Sequence, residues 1–125
     1  MPTARIEYQP DKGYEEIVGH LADDLPRIVA PQMNIGGREL HDGGVGESEI
    51  LVDAVEYSRF ARNINDIQIT VIAHRFDERV ARLDEATEAV KQGVVEVLRD
   101  FDRNLTVGIS IWLVEMGYAT IGKED

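Results

Sequence analysis

Pro2 stands directly behind the initiator Met1. A proline nitrogen inside a chain is a non-basic amide, but removal of the methionine would leave it a secondary amine. An ordinary α-amino group titrates near ~8, and burial or neighbouring cations lower that value by disfavouring the charged form. Such an amine can move a proton beside a carbonyl at neutral pH, because a general base works best with its pKa near the operating pH. Proline also follows an initiator by chance, so position alone leaves base and bystander both open. Arg75 and Arg79 follow an apolar run and open a helical pattern, a place where guanidinium groups converge on an anion. A salt bridge from Arg79 to Asp77 or Glu78 is the competing use. Glu115 closes the last apolar run, either as a second acid-base group or as the partner of an arginine. Arg38 and Arg59 lie in or beside loops, where solvated surface charge is the plain reading.

Other chemistries have less to work with. The 125 residues include no cysteine, which excludes disulfides, thiolate metal sites and cysteine nucleophiles. His20, His41 and His74 lack ligand spacing, so no metal site is expected, nor any cofactor. The glycines between Gly36 and Gly46 lack the strand-to-helix setting and the Lys-Ser/Thr of a phosphate loop. With 24 acidic against 13 basic residues the formal charge is −11, which repels nucleic-acid backbones. The apolar runs are too short to cross a bilayer, and residues 1–20 lack the blocks of a secretory signal, so a cytoplasmic protein is expected.

The elements that must position these residues are legible as periodicities. Residues 3–8 alternate Ala4, Ile6 and Tyr8 against Arg5 and Glu7, a half-buried strand. After the 9–13 turn, apolar residues from Tyr14 to Val29 recur at helical spacing, with Pro26 a kink and Pro31 a stop, so a helix is expected over 14–30. Strands are expected over 50–57, 66–74 and 106–116. Val80, Leu83, Val90, Val94 and Phe101 predict one continuous second helix, with Asp77 as its N-cap. The order β-α-β-β-α-β in a single α+β domain spanning 1–125 fits a ferredoxin-like sheet or two parallel β-α-β units side by side. In either, two helices cover one face of four strands. The other face carries Arg5, Glu7, Gln68, Thr70, Ser110 and Trp112, and a partner subunit is its simplest cover.

Met1-Pro2 followed by this element order resembles the tautomerase superfamily over nearly the whole chain. Pro2-Thr3-Ala4-Arg5-Ile6-Glu7-Tyr8 is similar to the proline-led first strand of the 5-carboxymethyl-2-hydroxymuconate isomerase branch. His74-Arg75-Phe76-Asp77-Glu78-Arg79 resembles the segment carrying paired carboxylate-binding arginines in the cis-3-chloroacrylic acid dehalogenase and decarboxylase branches, with wider spacing here. Ile111-Trp112-Leu113-Val114-Glu115-Met116 is similar to the Glu-Met end of the last strand in both branches. The resemblance implies a homotrimer of paired β-α-β units and a cofactor-independent keto-enol tautomerase or isomerase acting on a small unsaturated or α-keto carboxylate. It implies Pro2 as general base, Glu115 as a second catalytic group, Arg75 and Arg79 on the carboxylate, and Arg38 or Arg59 reaching a neighbouring subunit's site. Asp24-Leu25-Pro26-Arg27 lacks the histidine that the dehalogenase branch has near there, which argues against acrylate hydration. A non-catalytic trimer with a blocked terminus and a ferredoxin-like small-molecule binding domain are the alternatives.

Overall fold

The computed structural model describes residues 2–34, 45–101, 104–115 and 121–122. Strand β1 (Thr3–Tyr8) leads through a turn into helix α1 (Glu15–Met33). That turn needs left-handed backbone at Asp11 (φ 61°) and Gly13 (φ 74°), which Asp tolerates and Gly adopts freely. A 3-10 turn (Glu47–Glu49) precedes β2 (Leu51–Glu56), and β3 (Ile67–His74) leads into α2 (Asp77–Ala81), α3 (Leu83–Leu98) and β4 (Val107–Val114).

The strands form one sheet in the order β2-β1-β3-β4. β1 runs parallel to β2 and β3 parallel to β4, while the central β1–β3 pair is antiparallel. Each helical connection therefore returns the chain to the adjacent strand. A ferredoxin-like sheet would skip one strand, so of the two expected layouts the molecule is the paired β-α-β one. Among the described residues helices pack on one face only: Ala4, Ile6, Ile69 and Val71 meet Leu21, Leu25 and Val29 of α1 and Val90 and Val94 of α3, all 1% exposed or less. The two helices approach closely at Gly93, where an added Cβ would come within 2.7 Å of the Ile28 side chain. Among the described residues no helix is long and apolar enough to cross a membrane.

Two helix expectations are corrected. α1 runs through Pro26, as expected, and past the expected stop at Pro31 to Met33. Each proline forfeits one backbone bond, but Met33 is 1% exposed and Asn34 N–H still closes on the Ala30 carbonyl at 3.1 Å, so packing outweighs the lost donor at the last turn. The second helix is not continuous. It breaks at Arg82 (φ −110°, ψ 11°), and Phe76 rather than Asp77 occupies the N-cap of α2. Arg79 is the buried residue of α2, which turns Val80 outward to 40% exposure, so the apolar spacing from Val80 to Leu83 bridges two separate helices.

The uncovered face is ordered by the register. Leu51, Thr3, Ile72 and Trp112 form one row across the four strands, Asp53, Arg5, Thr70 and Ser110 the next, and Val55, Glu7, Gln68 and Gly108 the third. The first row is the apolar one, with Trp112 60% and Leu51 56% exposed.

At the far end of the sheet Asp66 ties β3 to β4. Its Oδ2 accepts from the Thr106 N–H at 2.9 Å and from the Thr106 hydroxyl at 3.1 Å, while its own N–H donates to Thr106 Oγ1 at 3.0 Å. The Thr106 backbone bond is the main cause that holds this carboxyl below its ordinary value, against the smaller opposing effect of burial. A depressed folded pKa contributes stability that is present above the unfolded value of about 3.9 and is lost as pH falls through the folded one. Asp66→Asn should therefore lower the urea midpoint by a constant amount above about pH 5, and the gap from wild type should close as pH falls below about 4. A gap that stays constant to pH 2 would show that the carboxylate's charge contributes nothing.

Candidate active site

The antiparallel register pairs Thr3 with Ile72, which sets position 2 across from Ala73. The parallel register pairs His74 with Val114, and the Arg75 N–H donates to the Val114 carbonyl at 2.9 Å. That bond carries the ladder one step past the strands and sets Arg75 beside Glu115. The Pro2 carbonyl accepts from the Leu51 N–H at 3.1 Å, bringing the start of β2 to the same place. One sheet end thus gathers the starts of β1 and β2 and the ends of β3 and β4. By strand alternation positions 2, 75 and 115 belong to the helix-facing set that includes buried Ala4, Val71 and Ala73. Pro2 is buried, whereas Arg75 and Glu115 are exposed.

Arg79 stands apart from Arg75. It is 6% exposed, its Nε donates to the Met33 carbonyl at 2.9 Å, and its Nη1 donates to the His74 carbonyl at 2.8 Å. The guanidinium also lies over the Phe76 ring, 4.9 Å from its centroid. Burying a cation costs desolvation energy, and here the offset comes from a carbonyl of the last turn of α1, which has no helical partner and sits at the negative end of the helix dipole. Arg79 so fastens α1 to the end of β3, one residue before Arg75. Asn34 makes a second fastening: its carboxamide donates to the Val45 carbonyl at 2.8 Å and accepts the Val45 N–H. Asn34 was not among the expected site residues, although an asparagine directly after a helix and ahead of a glycine-rich stretch is a signal for such a cap.

Arg38 and His41 lie outside the described residues. Arg59 is at the opposite end of the sheet, about 17 Å from the Pro2 end on strand geometry, beyond the bond from Tyr57 N–H to the Tyr8 carbonyl. There it stacks on exposed Phe60 and borders an open cleft of about 390 Å³ with Gln9, Tyr57, Arg62 and Asn63. Burial, and then Glu7, raise the Tyr57 phenol, so it keeps its proton at neutral pH. None of Pro2, Arg75, Arg79 or Glu115 lines this cleft. His74 packs edge-on to Phe76 and His20 to Phe101, and no cluster of three or more potential metal ligands occurs among the described residues. Within one chain, then, position 2, the exposed Arg75 and Glu115 share one sheet end, with Arg79 as the brace beside them.

No family model and no curated protein matches this sequence. Solved structures do share its fold. A macrophage migration inhibitory factor-like protein from Entamoeba histolytica aligns with TM-score 0.59 and 14% identity over 94% of this chain and 95% of that one. A malonate semialdehyde decarboxylase aligns with TM-score 0.59 and 11% identity, covering 98% and 92% of the two chains. A 5-carboxymethyl-2-hydroxymuconate delta-isomerase aligns with TM-score 0.53 and 15% identity, covering 100% and 89%. The chain has the fold of these tautomerase-superfamily structures, as the sequence resemblance implied.

The two arginines should separate in stability measurements. Arg79→Met leaves the Met33 and His74 carbonyls without their charged donor and should cost about 3 kcal/mol in urea unfolding, the scale for losing two hydrogen bonds from a charged group. Arg75→Ala should stay within about 0.5 kcal/mol of wild type, as exposed substitutions do. Equal costs would remove the distinction between brace and free guanidinium.

Proposed function

We propose that this chain is a cofactor-independent tautomerase or isomerase acting on a small unsaturated or α-keto carboxylate, with the Pro2 nitrogen as general base once Met1 has been removed. The observation that carries the proposal is the meeting of position 2, Arg75 and Glu115 at one sheet end. It is supported by a fold held in common with an isomerase and with a decarboxylase described as having decarboxylase and hydratase activities. In the ketonisation of an enol, Pro2 takes the proton of the enol hydroxyl and the resulting ammonium returns it to the neighbouring carbon, which regenerates the amine. An ordinary α-amino group titrates near ~8, and a cation beside it, as Arg75 would be, lowers that value and so favours the free amine. Arg75 pairs with the substrate carboxylate and stabilises the enolate charge that develops beside it. Glu115 is the second proton-transfer group. Arg79 holds the turn on which Arg75 sits, a positioning role.

The assembly we propose is a homotrimer with the uncovered sheet face inside. Its support is the apolar row of Leu51, Ile72 and Trp112, which a 14.0 kDa monomer leaves in water. Sedimentation equilibrium should return three times the chain mass, and Trp112→Asp should shift it toward monomer. A wild-type monomer would refute the assembly.

Phenylenolpyruvate should ketonise faster with the processed protein than with buffer. A form that keeps one residue ahead of Pro2 has the same fold and arginines but an amide nitrogen, and it should be nearly inactive. Arg75→Ala in the processed form should lower kcat/KM by about 2–4 kcal/mol of transition-state stabilisation. Equal rates for the processed and blocked forms would take Pro2 out of the chemistry and leave a non-catalytic protein or a different base.

A further inference from the structure

The geometry points to a site that selects monocarboxylates over dicarboxylates, an inference that rests on the sheet end around Pro2 being the ligand site. The sequence offers two arginines there, which would suit a ligand with two anionic ends. The fold makes only one of them available. Arg75 is exposed, and among the described residues its guanidinium has no hydrogen bond or ion pair. Arg79 is 6% exposed, with Nε and Nη1 held by the Met33 and His74 carbonyls. Its remaining N–H groups are buried with it, so an anion could reach Arg79 only by opening the junction between α1 and the end of β3.

Glu115 adds a repulsive element. It follows Val114 in the strand that pairs with the end of β3, so its backbone lies about 4.8 Å from that of Arg75, one step beyond the His74–Val114 pair. A single carboxylate can pair with Arg75 and turn an uncharged end toward Glu115. A second carboxylate brings another negative charge to a place that already holds one and offers no further free cation among the described residues. The formal charge of −11 deepens that penalty at long range. Discrimination here comes from an unmatched charge rather than from size, the kind of selectivity that a repulsive group produces.

Crotonate and fumarate share a four-carbon trans skeleton and differ in carrying a methyl or a second carboxylate, which makes them the probes. In NMR-detected titrations of the processed full chain at low ionic strength, fumarate should bind at least about fivefold more weakly than crotonate. Arg75→Ala should weaken crotonate about tenfold or more, and Glu115→Gln should bring the two ligands within about twofold of each other. Fumarate binding as tightly as crotonate, or crotonate binding that ignores Arg75→Ala, would overturn the inference. Binding is read separately from turnover, so the two ideas can fail apart. Crotonate preference without enol ketonisation keeps the selectivity and removes the catalytic reading, while ketonisation with equal binding of both acids does the reverse.

Discussion

The antiparallel pairing of β1 with β3 is the constraint on which the rest of the molecule depends. Each half is a strand, a helix and a parallel strand, and neither half alone covers its helix with enough sheet to bury it. Joining the halves through β1 and β3 puts Ala4 against Val71 and Ile6 against Ile69, all 1% exposed or less. A slip of one residue would turn the alternate set, Arg5, Glu7, Gln68 and Thr70, toward the helices, so the core itself specifies the register. The same register sets the first residues of the chain across from the last residues of β3. Core packing and the gathering of Pro2, Arg75 and Glu115 are thus one geometric fact.

A register holds strands, but it does not hold the turns that follow them. The chain leaves β3 at His74 and α1 at Met33, and two backbone carbonyls there converge on a single guanidinium. A buried charge is a costly fastener, and an apolar side chain of similar volume could fill the space. What an apolar residue lacks is direction: it cannot satisfy two carbonyls from separate elements at once. Arg79 therefore sets where the 74–79 turn lies relative to α1, and with it where Arg75 emerges. Gly93 acts at the other interface of α1, letting α3 approach Ile28 more closely than any larger residue would.

Most of the architecture was legible in the sequence because strand and helix periodicities are local. The alternation Ile67, Ile69, Val71, Ala73 marks β3 and its buried face without ambiguity. The choice between two sheet layouts was not legible in the periodicities, since strand order is set by how each helix returns the chain; only the family resemblance pointed to paired β-α-β units, which the sheet order bears out. Pro31 misled because local propensity yielded to the burial of Met33, and the α2–α3 break was hidden because Val80 and Leu83 happen to keep helical spacing across it. At the site, Pro2, Arg75 and Glu115 could be picked out as residues at strand ends, yet only the register shows that those ends coincide. Arg79 could be read either as an anion ligand like Arg75 or as a partner of Asp77 or Glu78, for sequence reports charge but not burial, and burial is what sets it apart from Arg75.

The uncovered face adds a coupling between site and assembly. Its apolar row, Leu51, Thr3, Ile72 and Trp112, is the row nearest the Pro2 end of the sheet. Thr3 follows Pro2 directly, and Ile72 precedes Ala73, the residue across from Pro2. The next row carries Asp53 beside Arg5, whose opposite charges suit a wetter surface. Apolar cover on this face is therefore wanted most where the chain start and the end of β3 meet. A second copy seated on that row would border the proposed site on the side away from the helices, exclude water there, and lower the local dielectric around Arg75 and Glu115. On that geometry, the proposed assembly and the electrostatics of the proposed site would be coupled rather than independent.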